Sequence, residues 1–233
     1  MFILQATRII PRKGIELAID FVHALNQPAR RARLAAAGLS HGRLFTPDSR
    51  IVLVLAGYAE DDQTGKYVPK LRAKADQLGV DLLFIEDKIG SRRAISTAGE
   101  KIYSLWDSYV YADFVTYPSL WEGWGNQLLE ALVMRRPIVL FEYPVYTADI
   151  KPVGLRAVSL GAELRGYDAH GLAQVDPARI EQAADEAIDL LTDPEKRETA
   201  VSHNYQVGQC HYSLDALRGY LEQVMAGGLE TRD

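Results

Sequence analysis

Two acids, Glu122 and Glu130, stand eight residues apart in "EGWGNQLLE" (residues 122–130), with Gly123 and Gly125 flanking Trp124. The segment follows the apolar run "DFVTYP" and opens a stretch of helical spacing, so it reads as a loop between a strand and a helix. Glycines in such a loop can adopt conformations closed to other residues and let a ligand approach the backbone closely. Free amides at the start of a helix bind anions. An acid about one turn into the helix can accept hydrogen bonds from two vicinal hydroxyls, as on a ribose, each charge-assisted contact contributing about 1.5–3 kcal/mol. The same residues also fit a plain turn followed by an exposed first-turn acid that complements the helix dipole. These nine residues alone leave both readings open.

A second pair shifts the balance. Arg8 and Lys13, in "TRIIPRKG", lie five apart between the first apolar run and the first helical pattern. Two cations converging on one crevice suit a diphosphate, with Arg able to bind in a bidentate way and Lys acting as a compact charge. Together with the glycine loop they make a site. Other chemistries fail on spacing. In "GYAEDDQTGKY", seven residues separate Gly57 from Gly65 where a P-loop has four, and Tyr67 stands where that motif needs Ser or Thr. No G-x-G-x-x-G follows the first strand and no G-x-S-x-G occurs. The histidines at 23, 41, 170, 203 and 211 have no ligand spacing with Cys210 or the acids, so no metal is expected.

The elements that must position these residues alternate. Strands are expected at "FILQA" (2–6), "IVLVLAG" (51–57), "VDLLFIE" (80–86), "DFVTYP" (113–118) and "PIVLFEY" (137–143). Helices are expected in "KGIELAIDFVHAL" and over residues 67–78, about 101–110 and about 126–134. Short continuous apolar strands between helical patterns indicate an α/β fold with an open, Rossmann-like, doubly wound parallel sheet. The expected organisation is one domain over 1–233, with a core sheet to about 176 and C-terminal helices from about 177 to 227, Pro194 and Ser213 marking helix starts. Two segments break the rhythm. The Arg-rich 26–50 reads as a solvated insertion at the end of the sheet away from the site, and 87–101 as a surface loop or mobile lid beside it.

The 233 residues are 48% hydrophobic and 24% charged, as in an ordinary soluble domain, and the net charge of -5 argues against a main role in coating nucleic acid or an anionic membrane. A single cysteine, Cys210, makes no internal disulfide, and a cytoplasmic location is expected. "MFILQA" is too short and lacks the basic start of a signal peptide. No run approaches the eighteen or so apolar residues that span a bilayer.

At "ATRIIPRKGIELAIDFV", "IVLVLAG" and above all "YADFVTYPSLWEGWGNQLLEALVMRRPIV", with "RIEQAADEAIDLLTDPEKRETA" downstream, the chain resembles the C-terminal, nucleotide-sugar-binding domain of the retaining GT-B glycosyltransferases of group 1. The resemblance covers nearly all 233 residues. It implies that Arg8 and Lys13 hold the diphosphate and stabilise the departing charge. It implies that Glu130 binds the ribose and that backbone near Ile85 meets the base. Glu122, with the amides around Gly123, Trp124, Gly125 and Asn126, would face the donor sugar and distal phosphate. The family's usual Gly before the Arg is Thr7 here, and the Gly before the Pro of the fifth strand is Arg136.

The implied donor is a UDP- or GDP-hexose, with no prosthetic group. The acceptor-binding half is expected elsewhere, in an upstream segment or a partner chain, so the chain alone is expected to bind without transferring. A second function, of a different class, is a nucleotide-sugar-binding subunit that acquires chemistry only with a partner. A third, a GT-B epimerase or phosphorylase relative, would need a catalytic histidine or a pyridoxal-phosphate lysine, and neither is convincing here.

Overall fold

Four consecutive apolar side chains are buried only when both faces of a strand are covered, and helices on either side of a parallel sheet provide that cover. The computed structural model describes residues 1–57 and 65–227. In chain order it runs β1 (Phe2–Gln5), α1 (Ile15–Leu25), α2 (Pro28–Ala37), β2 (Val52–Leu55), α3 (Tyr67–Leu78), β3 (Asp81–Phe84), β4 (Ile89–Gly90), β5 (Ala94–Ile95) and β6 (Lys101–Ser104). There follow α4 (Leu105–Tyr111), β7 (Phe114–Tyr117), α5 (Asn126–Val133), β8 (Ile138–Leu140), β9 (Val158–Ser159), β10 (Gly166–Tyr167), β11 (Ala173–Gln174), α6 (Pro177–Thr192), α7 (Pro194–Tyr212) and α8 (Leu214–Gly227).

The main sheet has the order β3-β2-β1-β7-β8-β9 and every neighbouring pair is parallel. Ile3 is in register with Leu53 on one side and with Phe114 on the other. All three side chains are fully buried, each contributing about 1.5–3 kcal/mol relative to exposure. The expected doubly wound α/β architecture is therefore present. The chain winds outward from β1 to β3, then crosses back to start β7 on the other side of β1. Connections leave β1 and β7 in opposite directions, and a crevice opens between their carboxyl ends.

Helix starts follow local chemistry. Asp176 and Asp193 accept hydrogen bonds from the first amides of α6 and α7, each with proline at the first helical position. Ser213 Oγ does the same for Ala216 N at α8. Among the described residues no helix is long and apolar enough to cross a membrane.

Three expectations are corrected. Segment 26–50 is not merely a solvated insertion, because it contains α2, whose buried Arg30 bonds to Asp185 at 2.9 Å, Glu181 at 2.7 Å and the Ala24 carbonyl at 3.1 Å, fastening α2 to α6. Segment 87–101 is built rather than a bare loop, since β4 and β5 flank β6 in a small three-stranded sheet. The helix expected from about 101 begins at Leu105. Residues 101–104 alternate in exposure as strand β6, and Ser104 then forms a capping box with Asp107. The segment in which a P-loop was rejected lies largely at residues 58–64, outside the described residues.

Gly14 governs how closely the connections after β1 and β7 approach. It has φ +59°, and a Cβ there would overlap the Pro118 carbonyl oxygen. Gly14→Ala combines the left-handed penalty of about 1–2 kcal/mol with a backbone clash that no rotamer relieves. We expect it to lower unfolding free energy by about 2 kcal/mol or more, measured by urea unfolding; an unchanged midpoint and slope would show that the two loops do not need this approach.

Candidate functional site

The loop after β1 turns through a short 3-10 helix at Pro11–Lys13, and the loop after β7 runs from Pro118 to the start of α5. They are laced together. Leu120 N donates to the Arg12 carbonyl at 2.8 Å, and Arg12 Nη1 donates to the Trp121 carbonyl at 3.0 Å and to Glu122 Oε2 at 2.8 Å. Lys13 Nζ bonds to Glu122 Oε1. Beneath them the Gln5 amide donates to Thr7 Oγ1 at 3.1 Å and to the Lys13 carbonyl at 3.3 Å, while its oxygen accepts from Thr116 Oγ1 at 3.0 Å. This buried polar bridge fixes the start of the cationic loop to both central strands.

Glu122, on the loop between β7 and α5, is 7% exposed and Lys13 is 8% exposed. Burial by itself would raise the Glu122 carboxyl, but the hydrogen bonds from Lys13 and Arg12 outweigh it and hold the group below its ordinary value. Burial also pulls the Lys13 ammonium below its ordinary value, against the raising effect of Glu122. Each ion compensates the other's desolvation.

A cavity of about 400 Å³ lies between the loops. Arg8, Lys13, Glu122, Trp124, Gly125, Asn126 and Glu130 all line it, so most of the residues singled out in the sequence do meet. Arg8 stands exposed at the rim. Glu130 differs from the exposed first-turn acid of the sequence reading. It is the fifth residue of α5, half-buried, and its Oε2 accepts the Tyr109 hydroxyl at 2.6 Å.

The glycines divide. Gly125 has φ +123°, and a Cβ there would press on the hydroxyls of Tyr117 and Tyr143, so only glycine fits. Gly123 has no positive φ and open space where a Cβ would be, and it does not line the cavity. The Trp124 ring meets Tyr212 of α7 edge-on at 5.1 Å, and its carbonyl accepts from Tyr143 Oη at 2.6 Å, so the loop after β8 braces the glycine turn.

Ile85 is not brought into the cavity. It follows β3, with its N–H donating to the Leu55 carbonyl at 3.0 Å and its carbonyl accepting from Lys88 N at 2.9 Å. Two residues went unnoticed in the sequence. Arg12, next to Lys13 in "PRKG", carries the second cation on Glu122; adjacency in a tight turn before a helix was the available signal. Gln127 is buried against the cavity, its amide nitrogen donating to the Thr116 carbonyl at 3.2 Å and its oxygen lacking a partner among the described residues. Nothing local in the sequence marks that oxygen.

Comparison with known proteins gives the family and the fold. A family model described as glycosyl transferases group 1 matches residues 1–207. A mannosylglucosylglycerate synthase of Thermotoga maritima is 40% identical over 220 residues, 94% of this chain and 47% of that protein. A protein of the same description from Petrotoga mobilis is 40% identical over 198 residues, 84% of this chain and 43% of that protein. The chain thus spans about half the length of the curated relatives it matches. Among solved structures, Anabaena Alr3699/HepE in complex with UDP and glucose is similar with a TM-score of 0.60 at 14% identity, over 97% of this chain and 48% of that one. The C-terminal domain of a group 1 family protein (LpcC) from Francisella tularensis is similar with a TM-score of 0.54 at 20% identity, over 91% of this chain and 86% of that one.

Replacing Glu122 by Gln leaves the buried Lys13 ammonium uncompensated, and we expect a loss of about 3 kcal/mol at neutral pH. Because the folded carboxyl titrates below its ordinary value of 4.5, its contribution is complete above that pH and is lost as pH falls through the folded value. The stability gap between wild type and Glu122→Gln should therefore be widest above about pH 5 and close on acidification. Urea unfolding of both proteins across pH 3–7 measures it, and a pH-independent gap would contradict the pairing.

Proposed function

Because the chain belongs to the glycosyl transferases group 1 family, we propose that it is the donor-binding half of a retaining hexosyltransferase that takes a sugar from a nucleoside-diphosphate donor. The observation that carries the proposal is the convergence of Arg8, Arg12, Lys13, Glu122 and Glu130 on one 400 Å³ cavity at the switch point of the sheet. A diphosphate with its sugar needs cations at one end and hydroxyl acceptors at the other, and this cavity supplies both.

Lys13 has three N–H donors and Glu122 occupies one, leaving others for phosphate oxygens. Arg8 at the rim adds a planar donor set. The start of α5 presents backbone amides beside Gly125 and Asn126. These groups stabilise most when charge develops on the leaving diphosphate, so they serve the transition state as well as binding. Glu130 accepts from the ribose diol. Base recognition is assigned to the carboxyl end of β3 near Ile85, through groups other than its already bonded N–H.

The relatives' description extends the reading to the product. At 40% identity over 94% of the chain, a mannosyl-glucosyl-glycerate type of glycoside is the product class we favour, with a GDP- or UDP-hexose as donor. The acceptor is held by residues beyond these 233, either in the same polypeptide or in a partner chain, and the chain alone binds donor without transferring sugar.

A thermal-shift panel of UDP, GDP and ADP with their sugars tests the site. A ligand that binds only the folded state stabilises it by RT ln(1 + [L]/Kd), about 2.7 kcal/mol at a hundredfold excess over Kd. We expect one nucleotide to raise the melting temperature and Glu130→Ala to reduce that rise without removing it while the protein stays folded. No shift with any nucleotide at millimolar concentration in a folded sample would overturn the proposal.

A further inference from the structure

Tyr109 is fully buried on α4, yet its hydroxyl reaches the crevice through one bond, donating to Glu130 Oε2 at 2.6 Å. A buried phenol needs such a partner, but the choice of partner has a consequence for the site. With Oε2 held by Tyr109, Oε1 has no bond within the described residues, on a side chain that lines the cavity. Burial first, and then the Glu130 charge, push the Tyr109 phenol well above its ordinary value, so it stays a donor throughout the working pH range.

Tyr109 is itself held from its own helix. Its ring tilts against Trp106 at 6.1 Å. Asp107 caps α4, accepting from Ser104 N and Ser104 Oγ at 2.9 Å each, and Arg93 of the small sheet bonds to the same carboxylate, its Nε 2.9 Å from Oδ2. Arg93 holds Asp107 far below the usual carboxylate range. Arg93 and Ser104 thus fix the start of α4, the helix whose Tyr109 bonds to the carboxylate in the crevice.

We propose that Tyr109 is a positioning residue for Glu130, holding one carboxylate oxygen so that the other is presented to the vicinal 2′- and 3′-hydroxyls of a ribonucleotide. The proposal rests on the nucleotide reading of the crevice and adds to it a cause for selecting ribose over deoxyribose. Tyr109 touches no substrate. It removes rotamer freedom from Glu130 before the ligand arrives, so part of the ordering cost is met on folding rather than on binding.

The test is calorimetric titration of the chain with UDP and GDP and with their 2′-deoxy forms. It compares wild type, Tyr109→Phe, Glu130→Ala and the double variant, with unliganded melting as the check on folding. For the ribonucleotide that binds wild type, Tyr109→Phe is expected to weaken affinity by about tenfold, the upper end of the cost of immobilising one side chain on binding. For the 2′-deoxy form the expected change is under about twofold, since the second hydroxyl contact is already absent. In the Glu130→Ala background the same substitution should be silent, because its target is gone.

Equal losses for ribo- and deoxyribonucleotides, a further loss in the Glu130→Ala background, or no loss at all would each overturn the role of Tyr109 while leaving the nucleotide site standing. Failure of both nucleotides to bind wild type would overturn the nucleotide reading and this proposal with it. Should the Phe variant melt below the titration temperature, titrating wild type and the Phe variant at a temperature below both melting points puts the same question.

Discussion

One carboxylate with two cations on it holds the crevice in shape. β1 and β7 are neighbours in the sheet, but their connections leave in opposite directions, and the ladder that joins the strands ends where the loops begin. Glu122 closes that gap, taking Lys13 and Arg12 of one loop onto an acid of the other. Isolated ions in so buried a place would be expensive; as a group they are tolerable, and Gly14 permits the backbones to come close enough for the group to form. The Gln5 and Thr116 bridge below supplies the polar floor.

On the proposed reading, the same arrangement explains why a binding site for anions can persist without collapsing onto itself. Glu122 neutralises part of the positive charge, which limits repulsion among Arg8, Arg12 and Lys13, yet it leaves N–H donors over for phosphate. Glu130 is bonded instead to Tyr109 of α4. The cationic and carboxylate sides of the crevice are thus built from different elements, the first from the β1 loop and the second from α5 joined to α4. On the proposed reading this half orients one of two reactants. Fixing the second is a task of roughly 7–11 kcal/mol in an oriented reaction, and no group in the crevice is assigned to it.

Much of this was legible in the residues. Apolar runs such as "FILQ" and "FVTY" have one stable use between helices, so strand positions and the doubly wound class followed from period alone. Lys13, Glu122, Gly125 and Glu130 stand out in the sequence because glycine and charge gather at the two strand-to-helix junctions that a parallel sheet brings together. What stayed hidden depends on contacts distant in the chain. Arg30 looked like surface charge until α6 brought Asp185 to it. The burial of Glu122 is made by a loop more than a hundred residues away. Tyr109 reads as core in any window, and only the fold shows which carboxylate it holds. Residues 101–104 took strand form despite the helical pattern around them because β4 and β5 pair with them, a tertiary effect that propensity does not register.

The most direct test of the account is a crystal structure of the chain with the nucleotide that stabilises it. The diphosphate should lie within hydrogen-bond reach of Lys13 Nζ and the Arg8 guanidinium, and the ribose hydroxyls on Glu130, whose bond to Tyr109 is kept. A nucleotide ordered anywhere else, for instance in the cavity of about 600 Å³ between α6 and α7 lined by Asp189 and Lys196, with the crevice at β1 and β7 empty, would contradict it.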